Sequence, residues 1–166
     1  GEGQILSCDI HPHKLKLIDS GAKRLGISCL RTMLADAREH HAAWDRAADV
    51  VIADVPCSGL GIIRKKPDIR YKNPEELAQL PIIQREILEN VCRYVRSGGV
   101  LVYSTCTILP EENEQVTEAF LQAHPEFERT AFTLPLPIGS CDGQLTLWPQ
   151  RHGTDGFYIC RMRRKD

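Results

Sequence analysis

The sequence predicts an α/β fold built on a mostly parallel sheet, and three observations carry that expectation. Short apolar β-forming runs alternate with stretches of helical periodicity along most of the chain. The most hydrophobic runs, at 48–55 and 99–105, read as strands buried on both faces. Polar and nucleophilic residues fall where the strand runs end: Asp9, Asp36, Asp54 with Cys57, and Cys106. In an open parallel sheet those ends share one rim, and ligands bind beyond it.

Each element has its own signal. Residues 4–8 are a short β run closed by Asp9. Leu15, Ile18, Ala22 and Leu25 then recur at helical spacing, and Gly26 stops the helix. Residues 27–36 read as a second strand ending near Asp36. The third strand runs to Asp54. The basic, proline-broken stretch 64–77 predicts an ordered surface loop. The longest helix is expected over 75–95, kinked or divided at Pro81. A Gly98–Gly99 turn feeds the fourth strand, which leads to Cys106. Pro110 and the acids after it suit the first turn of a helix that stops at Pro125. Residues 127–132 form a short strand, 134–154 a long Pro/Gly/Ser-rich loop, and 156–164 an alternating closing strand.

At 166 residues the chain is long enough for one well-buried core. With 42% hydrophobic and 26% charged residues it resembles an ordinary globular domain. No apolar run reaches the length of a membrane span and no secretory leader is visible, so a cytoplasmic protein without a membrane partner is expected. The net charge of -1 gives no global attraction to nucleic acid but leaves local patches open. Seven scattered cysteines, without CxxC pairs, fit a reducing compartment, and no Cys/His spacing suggests a metal.

Several residues have two readings on position alone. Asp9 suits a ribose-hydroxyl acceptor but equally a cap for the helix beginning near Pro12. Asp36 has the same two readings. Cys57 and Cys106 could each be inert filler. Their matching strand ends bring them over one cleft if the strands are neighbours, which favours reactivity. Cys8, Cys29, Cys92 and Cys160 read as core. Arg64, Lys65, Lys66 and Arg70 form a basic loop that would be a solvated surface were it not close to Cys57; that proximity favours phosphate contact. The cluster Arg161, Arg163, Arg164 and Lys165 reads as a solubilising terminus.

ADVPCSGLG (53–61) and VYSTCTILPEENE (102–114) closely resemble the paired motifs of the RsmB/NOP/Sun family of RNA cytosine-5 methyltransferases. SCDIHPHKL resembles the family's ribose-binding strand end, MLADAR its adenine-contacting one, and HGTDGFYICRM its closing strand. RKKPDIRY follows the first cysteine at the family's spacing. The resemblance spans nearly the whole chain, and the Pro-Cys and Thr-Cys pair is its most specific part.

The resemblance implies a Rossmann-like, S-adenosyl-L-methionine-dependent methyltransferase domain acting on cytosine C5 in RNA. Ribosomal RNA is the first expectation and transfer RNA the alternative. It implies Cys106 as nucleophile, Cys57 as the thiol assisting product release, and Asp54 between methyl donor and base. Asp9, Asp36 and Asp54 become cofactor contacts, and Arg64, Lys65, Lys66 and Arg70 RNA contacts. A non-catalytic RNA- or protein-binding module with the same fold is the reading from a different class.

The family's glycine-rich cofactor loop and first, central strand have no counterpart here. The expectation is therefore a single partial catalytic domain over 1–166, truncated at its N-terminus. Two open sheet edges would flank the gap, with possible self-association through them and weak or absent cofactor binding.

Overall fold

The computed structural model describes residues 3–166. The chain divides into two compact units, 1–40 and 41–166.

In the first unit, strand β1 (Ile5–Asp9), helix α1 (Pro12–Arg24) and strand β2 (Leu30–Leu34) form one β-α-β repeat. The strands pair in parallel, with Asp9 opposite Leu34. Asp9 Oδ1 accepts the His11 amide at 2.8 Å and turns the chain into α1. Pro12 begins the helix where no amide donor is needed, and Lys23 and Arg24 meet its negative end. The Thr32 hydroxyl donates to Asp19 at 2.9 Å and ties α1 to β2. Ile5, Leu6 and Leu34 remain exposed.

The second unit is built on a sheet in the order β3 (Ala48–Asp54), β4 (Val95–Thr105), β9 (Phe157–Arg164), β5 (Phe127–Arg129), with β8 (Gln144–Leu147) also on β9. β3 and β4 run parallel, and β9 runs antiparallel to β4, β5 and β8. Helices α2 (Pro74–Val91) and α3 (Glu114–Ala123) complete the unit. Its core centres on Tyr103 and Tyr158, both fully buried with rings edge to face at 6.2 Å, and on Leu88, Val95, Leu101, Val116 and Met162. Each such aliphatic side chain contributes about 1.5–3 kcal/mol by leaving water.

Several expectations need correction. β3 is not covered on both faces. Among the described residues it pairs only with β4, and Val50 and Ile52 are 54% and 69% exposed on the side they share with Asp54. Helix α2 is not divided at Pro81, because Gln84, Ile87, Leu88 and Val91 beyond it are buried and hold the second half in place. Asn73 caps that helix by accepting the Glu75 amide.

The basic stretch 64–77 is ordered as expected, but it is not all loop, since α2 begins at Pro74. The chain from Leu60 folds into 3-10 turns over Leu60–Ile62 and Pro67–Tyr71, anchored by buried Ile69. Residues 134–154 are not irregular either. β6 (Phe132–Leu134) and β7 (Gly139–Cys141) make a hairpin, followed by β8 and a single helical turn, α4 (Pro149–His152). Gly139 and Gly143 supply the positive φ values those reversals require. The terminal basic cluster is stitched to the fold. Arg161 bonds the Thr130 hydroxyl at 2.6 Å, Arg164 reaches the Cys92 and Val95 carbonyls, and Lys165 the Pro125 carbonyl. Among the described residues no helix is long and apolar enough to cross a membrane.

Candidate active site

The parallel register of β3 and β4 sets Asp54 opposite Ser104, so the thiols just beyond the two strand ends meet. Cys57 Sγ lies 3.2 Å from Cys106 Sγ, and the Cys106 amide donates to Cys57 Sγ at 3.3 Å. Both residues are half-buried. Asp54, exposed, accepts the Ser104 hydroxyl at 3.3 Å.

Two sulfurs this close in a partly dry site shift each other's titration in opposite directions. Donation from the Cys57 S–H pulls the Cys106 thiol down to about 7, aided by the nearby Lys72 charge and opposed by burial and by Asp54. Cys57 is pushed up because it is the donor and because it is buried. Of the two, Cys106 is the thiol that loses its proton more readily. By contrast, burial pushes Cys92 and Cys160 up to about 11, where a thiol is inert at neutral pH. The expected core cysteines divide: Cys92 and Cys160 are buried, Cys29 is half-buried, and Cys8 is exposed.

Close backbone contacts fix Cys106. The Gly61 amide donates to the Cys106 carbonyl at 3.0 Å, and the Gly156 amide donates to the Gly61 carbonyl at 2.8 Å. A Cβ on Gly61 would collide with Gly156 O and lie 2.8 Å from Cys106 O. The glycine of the closing HGTDGF segment thus packs against the residue that holds Cys106. His152 in the same segment accepts the Trp148 amide through Nδ1 at 2.8 Å.

The basic residues separate. Arg64 and Lys65 both pair with Asp155, at 3.3 and 2.5 Å, and the Lys65 hydrogen bond is the main cause holding the Asp155 carboxyl below its ordinary range. Their side chains are still about two-thirds exposed, at 65% and 68%. Arg70 donates to the Pro67 carbonyl and lies over the ring of Tyr71, itself 78% exposed. Lys66 is exposed. Lys72 turns inward and bonds the Ser58 carbonyl at 2.8 Å.

Asp9 and Asp36 follow adjacent parallel strands in the first unit and share its rim. Asp9 keeps its turn bond to the His11 amide, which is not a side-chain cap of α1, and a Lys14 partner at 3.4 Å. Asp36 holds the Arg38 amide and guanidinium, whose side-chain hydrogen bond is the main cause lowering its pKa. Both carboxylates stay partly exposed, with side chains at 23% and 25%.

Sequence reasoning missed Gln84, Glu112 and the two-glycine clamp. Glu112, read there as a first-turn acid, lies ahead of α3 and is buried, whereas its neighbour Glu111 is exposed. The one available signal was Gln84, a polar residue on the helix face otherwise made by Ile87, Leu88 and Val91.

The model of the family described as 16S rRNA methyltransferase RsmB/F matches residues 1–163. The chain belongs to that family. A curated relative from Bacillus subtilis (strain 168), named probable ribosomal RNA small subunit methyltransferase B, is 43% identical over 99% of this chain and 38% of its own length. Ribosomal RNA small subunit methyltransferase F of Escherichia coli O157:H7 is 33% identical over 98% of this chain and 35% of its own. The chain thus spans less than two-fifths of these RsmB/F relatives. Among solved structures, PH0851 superposes with a TM-score of 0.88 at 34% identity, over 98% of this chain and 37% of that one. NSun6 from Pyrococcus horikoshii, solved with SFG, gives 0.76 at 25% identity, over 99% and 42%. The fold is the Rossmann-like one of S-adenosyl-L-methionine-dependent methyltransferases.

The residues present fit the nucleoside part of that cofactor. Asp9 and Asp36 are acceptors at neighbouring strand ends, still reached by solvent, and suit ribose hydroxyls and an exocyclic amine, all of them donors.

Proposed function

We propose that the protein to which this chain belongs methylates carbon 5 of cytosine in ribosomal RNA, through a covalent bond between Cys106 and carbon 6 of the base. The observation that carries the reading is the pair of cysteine sulfurs, 3.2 Å apart beyond two adjacent strand ends. The names of the curated relatives support ribosomal RNA over transfer RNA as substrate.

Carbon 5 of cytosine is too weak a nucleophile to be methylated unaided. Addition of Cys106 Sγ to carbon 6 forms the S–C6 bond and moves the C5–C6 π pair to carbon 5. S-adenosyl-L-methionine, when bound, supplies an electrophilic methyl group to that carbon. Loss of the carbon-5 proton returns its electron pair to the C5–C6 bond, and sulfur leaves carbon 6 as a thiolate. Asp54 is the group at this rim able to take the proton, and the Cys57 S–H stabilises the departing sulfur by the same hydrogen bond that lowers the Cys106 pKa in the free protein. Attack on carbon 6 needs an unstacked base, so the target is a loop or locally opened RNA. Arg64, Lys65, Lys66 and Arg70 supply phosphate contacts near that base, and Asp9, Asp36 and Asp54 hold the cofactor.

The test is a denaturing gel on the complete protein with cofactor and cytosine-containing RNA. Cys57→Ala should accumulate a protein–RNA adduct that disappears in Cys57→Ala/Cys106→Ala. No adduct from folded, cofactor-bound Cys57→Ala would overturn the assignment of the two thiols.

A further inference from the structure

The turn carrying Cys57 is gripped by side chains distant in sequence. Gln84, fully buried in α2, donates Nε2 to the Pro56 carbonyl and to Glu112 Oε2, each at 2.9 Å. The same Glu112 oxygen accepts the Ser58 amide at 2.8 Å. One carboxylate–amide pair therefore fixes the backbone on both sides of Cys57. The Ser58 hydroxyl meets that of Thr107 at 2.7 Å, and Lys72 takes the Ser58 carbonyl, so each polar group of Ser58 is engaged.

This grip is poorly explained by stability. Glu112 is 2% exposed, and both its Oε1 and Gln84 Oε1 lack a hydrogen-bond partner among the described residues. A half-satisfied buried carboxylate is a worse solution for packing than two apolar side chains of the same size. What the pair does supply is geometry. Cys106 is held separately, by the β4 ladder and by Gly61, and the Tyr103 hydroxyl pins the Glu112 backbone carbonyl at 2.6 Å whatever side chain Glu112 carries.

We propose that Glu112, together with Gln84, is a positioning residue that holds the Cys57 sulfur against Cys106, and so governs release of the methylated RNA. The inference rests on the reading above, so its test has one arm that needs RNA and one that does not.

In the RNA arm, the complete protein is assayed for adduct and for turnover. A displacement on the order of 1 Å costs up to about 100-fold, so Glu112→Ala should lose roughly 10- to 100-fold in kcat with KM for RNA unchanged. It should also accumulate adduct, as Cys57→Ala does. Glu112→Gln keeps an acceptor for both donors and should restore turnover. In the second arm, the rate of Cys106 alkylation is followed against pH without RNA. Its midpoint, about 7 in the parent protein, should rise towards 9.0 in Glu112→Ala and return in Glu112→Gln. Should Glu112→Ala fail to fold, Gln84→Met must show the same two changes. Adduct from Cys57→Ala but not from Glu112→Ala, or an unmoved alkylation midpoint in folded Glu112→Ala, overturns the inference. A moved midpoint with no adduct from Cys57→Ala supports the positioning role while overturning the covalent reading.

Discussion

The two rims of this protein are held in different ways. At the thiol rim, contacts span long stretches of chain: Cys57 to Cys106, Ser58 to Glu112, Gln84 to Pro56, Gly61 to Gly156. At the acidic rim the partners are local, with Asp9 on His11 and Lys14 and Asp36 on Arg38. On the roles proposed above, the difference follows from the chemistry each would do. A nucleophile and its release group need sub-ångström placement, which only tertiary contacts from several elements impose. An acceptor for a ribose hydroxyl needs to be displayed at a strand end, and its own neighbours suffice.

The sharpest way to break that contrast is at the glycine clamp. Gly61→Ala drives a methyl group into the Gly156 carbonyl and against the Cys106 carbonyl, both backbone, so no side chain can move aside. Overpacking of that kind costs about 3 kcal/mol or more. Urea unfolding should show the loss, and alkylation of Cys106 should lose its selectivity. A variant as stable as the parent would mean that the clamp yields and that the thiol rim is less tightly held than its contacts suggest.

A smaller effect sharpens the contrast by titration. With Cys106 lowered to about 7, its thiolate forms as pH rises through that value and is protonated below it. Cys160, raised to about 11, stays protonated throughout the neutral range. Iodoacetamide labelling read by mass spectrometry should therefore modify Cys106 about 100-fold faster than Cys160 at pH 8. Cys57→Ala removes the S–H donor, so the Cys106 midpoint should move up. An unchanged midpoint would assign the lowering to Lys72 and the backbone instead.

What the sequence made legible follows the same division. Strand order along the chain, the helix over α1 and the pairing of the thiols were readable because they depend on local periodicity and two short motifs. The grip on the Cys57 turn was not. Glu112 looks like any acid beside a helix start, and its burial depends on where Gln84 projects from a helix far earlier in the chain. The β3 surface misled for the opposite reason. Val50 and Ile52 are as apolar as residues in a covered strand, yet hydrophobicity records what a face can bury and not what packs on it here. The second thiol lies between these cases: its motif announced the residue, and only the register of β3 on β4 set it in contact with Cys106.

The smallest expected effect is the most discriminating. Asp36→Asn removes a charge paired with the guanidinium fork of Arg38, on a carboxylate that stays a quarter exposed. Such a pair contributes at most about 1 kcal/mol. Because Arg38 lowers the folded carboxyl pKa, that contribution is present at neutral pH and lost as pH falls below the usual carboxylate range. Thermal unfolding near pH 7 should therefore barely change. If the acidic rim serves to bind, cofactor affinity in the complete protein should nevertheless fall by roughly 10-fold, the cost of losing one charge-assisted hydrogen bond. Calorimetric titration of parent and variant decides it. Unchanged affinity with a marked fall in stability would make Asp36 a brace for its own turn, and the acidic rim would then be held for architecture just as the thiol rim is held for chemistry.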